Sequence, residues 1–247
     1  MLIEQAAYSS RWREVSPAAK GCFAGAGMLA AFVAASPVVA GVVGVVLASV
    51  AVLGAGVPFL LYLRVAAPAT GFLALSCLSM MVSLSFSDTG GMVWQWAPDS
   101  AAVSALTARS LGSLAALLLL VLTTPLPDLI ALLRWLRLPD VLLDLMVLCY
   151  RMLFVFSEVL HDTLTAQASR LGYAGARRSL RSLGLLVASL ALQVWERAQA
   201  LQQAAEARNG GGTLRFLVPH YAHARRDTSL AALAGGALVA AAIWGGR

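Results

Sequence analysis

Residues 102–124 read AVSALTARSLGSLAALLLLVLTT, and Pro125 follows. A helix climbs about 1.5 Å per residue, so a stretch of this length crosses the roughly 30 Å hydrocarbon core of a bilayer. It contains no acid, and its second half is an almost unbroken run of leucine, alanine and valine. In lipid a helix satisfies its own backbone, which makes a transmembrane helix the natural reading of such a segment. The one ionisable group well inside it is Arg109, about seven residues from its start. A charge at that depth is costly and marks a functional contact, unless the long side chain snorkels to the headgroups. Both readings of Arg109 fit the sequence.

The same test, carried outward, predicts four more spans. One covers about 18–36 and ends at Ser36-Pro37. The next runs about 38–63 and stops at Arg64; Gly54, Gly56 and Pro58 predict a kink or break near its end. A third covers about 67–86 and the last about 228–244. Hydrophobic residues make up 60% of the chain and charged residues 12%, against about 25% charged in an average soluble domain. Mean hydropathy is +0.79. The expected fold is therefore an all-α polytopic membrane protein with about five transmembrane helices. The start, Met1 to Gln5, has no basic stretch ahead of its apolar residues and does not read as a signal peptide. Cys22, Cys77 and Cys149 have no CxxC spacing and are expected to be reduced, buried thiols with no metal role.

Basic residues set the orientation. Arg11, Arg13, Lys20 and Arg64 flank the first two spans, and twelve of the 18 arginines and lysines fall in 125–227. The segment 87–101 has none, and carries Trp94 and Trp96, residues typical of an interface. The positive-inside bias then places the N-terminus and 125–227 in the cytoplasm and 87–101 outside. It also accounts for the net charge of +6 without a nucleic-acid partner. The chain divides into an N-terminal membrane part (1–124), a cytoplasmic-face region (125–227) and a C-terminal span (228–247).

The middle region holds the functional signal. Leu126, Leu129, Ile130, Leu133 and Leu136 repeat at helical spacing between Pro125 and Pro139, which predicts a short helix on the membrane surface. A stretch of about 140–170 follows, apolar at first but broken by Asp144 and Arg151, and so a poor span. After Gly172-Tyr173-Ala174-Gly175 and the basic run Arg177, Arg178, Arg181, a second long helix is expected over about 179–207. Its apolar positions Leu183, Leu186, Leu190, Val194 and Leu201 keep helical spacing. Both amphipathic helices end alike: Ala168-Ser169-Arg170-Leu171-Gly172 and Ala207-Arg208-Asn209-Gly210. Glycine just past a helix is a stop signal, and an arginine in a last turn sits well against the helix dipole. Such arginines either project into a partner or simply meet solvent or headgroups.

Several chemistries lack their residues. The only lysine is Lys20, and no GxxxxGK loop surrounds it, so the chain itself is not expected to hydrolyse ATP. His220 and His223 lie beside Arg225 and Arg226, an unfavourable field for a divalent cation. No nucleophile–base pair suggests a lipid-directed enzyme, and few intramembrane polar groups suggest a channel or secondary transporter.

Leu122-Thr123-Thr124-Pro125, Leu129, Leu133 and Leu136-Arg137-Leu138-Pro139, followed by Tyr150-Arg151-Met152-Leu153-Phe154, resemble the transmembrane (T) component of energy-coupling-factor transporters, in the CbiQ-type branch of cobalt transport subunits. Glu4 to Trp12, Gln167 to Gly172, Arg177 to Gly184, and Trp195-Glu196-Arg197-Ala198 leading to Arg208 are similar to the same branch. The resemblance implies a non-catalytic coupling subunit of an ATP-driven cobalt importer in a bacterial inner membrane. Nickel or another micronutrient is the alternative cargo, and a self-contained channel or secondary transporter the more distant alternative. The implied partners are two ATPase subunits, which hold ATP and magnesium, and a membrane substrate-binding subunit, which holds cobalt, with or without a small accessory membrane subunit. The resemblance makes Arg170 and Arg208 the ATPase-docking residues. Ala168 and Ala207 would permit close approach, and Gly172 and Gly210 would end the helices. Ser169, in place of an alanine, and Asn209, in place of a glycine, depart from the family pattern beside those arginines.

Overall fold

The computed structural model describes residues 2–86, 92–96, 100–207, 221 and 224–245. In chain order it contains α1 (Leu2–Ser9), α2 (Pro17–Val33), α3 (Pro37–Ser49), α4 (Phe59–Met81), β1 (Val82–Phe86), β2 (Met92–Trp96), α5 (Ser100–Thr123), α6 (Leu126–Trp135), α7 (Asp140–Ser169), α8 (Ala176–Ala207) and α9 (Ala224–Trp244). The protein is an all-α polytopic membrane protein. Four of its helical segments, Pro37–Gly54, Phe59–Met81, Ala101–Thr123 and Ala224–Trp244, are long and apolar enough to span a bilayer; α2 is apolar but shorter. The chain forms two compact units: residues Met1–Leu132 with Val218–Arg247, and residues Leu133–Leu217.

The first unit is built around α2. Ser16 caps it by accepting from Ala19 N–H at 3.3 Å, and Pro17 supplies the preset first turn. Ser36 and Pro37 start α3 the same way. Helix α5 runs antiparallel to α2, as three contacts spaced along both helices record: Lys20 with Thr123, Ala31 with Gly112, and Ala34 with Arg109. Association in lipid gains little from hydrophobicity, so close backbone approach has to supply it. A Cβ on Gly112 would lie 2.7 Å from the Ala31 Cβ and 3.2 Å from the Ala40 carbonyl oxygen, and one on Gly44 would lie 3.2 Å from the Gly112 Cα. Ala30, Ala31, Leu47, Ala51 and Leu119 complete a fully buried core around this crossing.

The break expected near Gly54 and Pro58 is present. Helix α3 widens into a π turn over Val50–Gly54, and the chain is non-helical until Phe59. Gly56 takes a φ of +73°, which a side chain would strain. The N-terminal segment seals the opened backbone: Arg11 N–H donates to Ala55 O at 3.0 Å, and the Trp12 ring lies against Gly54. The break comes earlier than the sequence suggested, so Arg64 sits within α4 instead of ending the preceding span. The third span likewise stops at Met81 and not near 86. Val82–Phe86, expected as the end of that span, pairs antiparallel with Met92–Trp96, in the segment expected to be loop, Leu84 opposite Trp94. Its strict apolar–polar alternation, Val-Ser-Leu-Ser-Phe, is a strand pattern that helical hydropathy averages away.

The second unit contains two long helices of 30 and 32 residues, α7 and α8, joined by a short turn. Tyr150 and Phe154, one turn apart on α7, pack edge to face at 5.1 Å.

Candidate functional site

Helix α7 stops at Ser169, and Arg170 is its C-cap, with φ −93° and ψ 16°. Leu171 N–H donates to Ala168 O at 3.0 Å, and Gly172 N–H to Gln167 O at 2.9 Å. This pair of bonds is a Schellman ending, which requires its second post-helical residue to turn left-handed. That residue is Leu171, with φ +56°. Gly172 is therefore not the left-handed stop the sequence suggested. Glycine is needed there for room: a Cβ would lie 2.8 Å from the Gln167 carbonyl oxygen and 2.7 Å from Ser182 Oγ. Helix α6 ends in the same way, with Arg137 left-handed at φ +59° and Leu138 N–H donating to Leu133 O at 3.3 Å.

Side chains from α8 brace the turn. Ser182 Oγ donates to Gly172 O at 3.0 Å, Gln167 Nε2 donates to Ser182 O at 3.1 Å, and Tyr173 Oη meets Gln167 Oε1 at 2.6 Å. Gln167 thus joins the last turn of α7, the connection and the second turn of α8. The result is a rigid corner with Ala168, Ser169 and Arg170 exposed on it. Ser169 is harmless there. Its hydroxyl donates back to Thr165 O and Ala166 O, both at 3.0 Å, so it adds no polar obstacle beside the arginine.

Just past this corner, Arg177, Arg178 and Arg181 are exposed at the start of α8, whose first turn has no acid. Cations at a helix N-terminus oppose the dipole by about 0.3–1 kcal/mol each at an exposed site. The corner is therefore strongly cationic on a backbone held by hydrogen bonds. At the other tip, Ala207 is exposed and is the last residue of α8. Arg208, Asn209 and Gly210 lie outside the described residues, as do His220 and His223.

Arg109 belongs to the first unit. One of its guanidinium nitrogens donates to Ala34 O at 3.3 Å. Ala34 caps the C-terminal end of α2, where the carbonyls have no helical partners. Arg109 thus ties α5 to the α2–α3 connection.

Sequence reasoning missed a buried polar group at the opposite end of α2. Lys20, 1% exposed, donates from Nζ to Thr123 O at 3.0 Å. Asp128, in the first turn of α6 and 7% exposed, faces Lys20 and Tyr221 electrostatically. Burial first, and then the Asp128 carboxylate, push the Tyr221 phenol up to about 12. The available signal was a lone lysine opening an apolar helix and a lone aspartate opening a short one.

Residues 9–217 match the family model described as CbiQ, cobalt transport protein. The chain belongs to the CbiQ family. It is 34% identical to the cobalt transport protein CbiQ of Rhodobacter capsulatus, over 87% of this chain and 86% of that one. It is 29% identical to the Salmonella typhimurium CbiQ over 81% and 92% of the two chains. A Methanocorpusculum labreanum protein named as a fused cobalt transport protein, CbiMQ, is 32% identical over 48% of this chain and 20% of its own length. The family match takes in the α6 helix, both long helices and the Arg170 corner of this CbiQ-family protein.

Proposed function

We propose that the protein is the transmembrane coupling component of an ATP-driven cobalt importer. It passes the motion of two ATPase subunits to a membrane-embedded subunit that binds the metal. The observation that carries the reading is the Arg170 corner: an exposed arginine on a turn locked by two cap bonds and braced from α8. Force is transmitted only by a contact whose backbone does not yield, and a guanidinium is the side chain best suited to grip an acidic groove by paired hydrogen bonds. Arg208, at the end of α8, is the second docking residue by its matching position in the sequence. ATP and magnesium belong to the ATPase partners and cobalt, the cargo, to the substrate-binding subunit. The fused relative's name supports a CbiM-type protein as that subunit. The N-terminus and the α6–α8 region then face the cytoplasm of a bacterial cell.

The test is the double variant Arg170→Glu with Arg208→Glu, expressed with its partner subunits. The expected result is loss of ATPase co-purification and of cobalt uptake while the variant still inserts in the membrane. Normal assembly together with normal uptake would end the proposal.

A further inference from the structure

The buried polar group around Lys20 has no part in docking, yet it sits at the root of the coupling region. Lys20 is the only lysine in the chain and one of its largest fully buried side chains. Its ammonium reaches Thr123 O, in the last turn of the α5 span. Asp128, buried and near enough for its charge to act on that ammonium, lies five residues on, in the first turn of α6. Between them the chain turns at Thr124-Pro125, and Asp128 N–H donates to Pro125 O at 3.0 Å. Tyr221, just ahead of α9, faces the same carboxylate, and Arg13, from the N-terminal segment, is close enough for its charge to act on both Lys20 and Tyr221. Leu132 of α6 packs against α2 at the next residue, one Cδ lying 2.8 Å from where a Cβ on Gly21 would stand. Four separate stretches of chain therefore meet at the corner where the membrane span hands over to α6.

Apolar packing alone would hold this corner with less cost. Burying an ammonium and a carboxylate is expensive, and a well-packed apolar substitute is often as stable or more so. What the charged arrangement adds is geometry: the directional bond from Lys20 to Thr123 O holds one arrangement of the turn against neighbouring ones. A proline turn with a soft corner would bend under load; one pinned from α2 would not.

We infer that Lys20 and Asp128 are positioning residues for transport: they clamp the α5–α6 corner to the membrane core so that displacement of α6 is delivered to the membrane helices. The inference rests on the coupling reading above. It predicts that loosening the clamp leaves docking and ATP hydrolysis in place but separates them from uptake.

The experiment compares Lys20→Met, Asp128→Asn and the double variant in the assembled complex in proteoliposomes, reading ATPase activity and cobalt uptake in the same vesicles. Partner subunits should co-purify with all three. In the single variants the cobalt moved per ATP should fall roughly tenfold, the scale of a typical coupling free energy between sites. An unchanged cobalt-to-ATP ratio, with any loss of uptake explained by less complex or lower thermal stability, would overturn the inference and leave a purely structural clamp. Should Lys20→Met fail to fold, the near-isosteric Asp128→Asn carries the same expectation and the same refutation. Failure of the underlying coupling reading looks different: normal uptake in the Arg170→Glu, Arg208→Glu protein, whatever the ratio in the clamp variants.

Discussion

Replacing Gly172 with alanine tests the account of the α7 corner. The new Cβ would stand 2.8 Å from the Gln167 carbonyl oxygen, and that oxygen accepts the Gly172 N–H at 2.9 Å. The methyl group and the hydrogen bond cannot both keep their places. Ser182 Oγ, at 2.7 Å from the same point, can rotate, but only by giving up its bond to Gly172 O. Losing both bonds costs about 0.5–1.5 kcal/mol each, so the corner should loosen by roughly 1–3 kcal/mol. Leu171→Gly is the counter-experiment. It removes the strain of a left-handed leucine, about 1–2 kcal/mol, less about 0.4–1 kcal/mol for the freer unfolded chain. The corner should be unchanged or slightly firmer. Hydrogen exchange across residues 165–182, in detergent, reads both. Gly172→Ala should speed exchange of the Leu171 and Gly172 amides by about tenfold or more, on the scale of 1.4 kcal/mol per decade, and weaken ATPase co-purification. Leu171→Gly should do neither. If Gly172→Ala left exchange untouched, or if Leu171→Gly were the damaging change, the assignment of the left-handed position and of the steric need for glycine would be wrong.

Three further expectations concern the first unit. Gly112→Val should wedge α5 from α2 and α3, because even the Cβ would fall 2.7 Å from the Ala31 Cβ; a loss of about 1–3 kcal/mol is expected as an earlier thermal unfolding transition in detergent. Arg109→Met should remove the bond to Ala34 O while keeping the apolar stem, costing about 0.5–1.5 kcal/mol and leaving cobalt uptake per complex unchanged; a severe transport defect with normal stability would point instead to a functional contact. Tyr221 is raised from 10.0 to about 12, so the folded protein holds the phenol proton more tightly than the unfolded chain. Its contribution is complete below about pH 10 and is lost as pH rises toward 12. Tyr221→Phe should remove a phenol that ionises near pH 12 in an absorbance titration of the folded protein, and an unchanged titration there would refute the assignment.

Reading the chain for membrane helices worked where composition alone sufficed. A run such as 102–124 has few other fates, and the break after Gly54 was announced by two glycines and a proline. Ends were harder. Helix α4 begins and ends several residues earlier than hydropathy suggested, since windowed apolarity does not distinguish Val82–Phe86 as strand from the helix before it. The Arg170 corner was legible as a helix end with a cation. Its geometry was not, because the choice between Leu171 and Gly172 as the left-handed residue depends on what stands behind each, namely Gln167 O and Ser182.

By itself the sequence determined the class, four of the five expected long apolar spans (the first, α2, proved shorter), the paired amphipathic helices, and, through its resemblances, the family. These follow from local properties: hydropathy, period and punctuation act over a few turns of chain. Tertiary structure alone decided which residues meet. Lys20 and Thr123 are 103 positions apart, and Arg109 and Ala34 are 75 apart. No local pattern links such pairs. They come together because glycine and alanine let α2 and α5 pack backbone to backbone in a single antiparallel register, which brings a buried lysine to the corner where α6 begins.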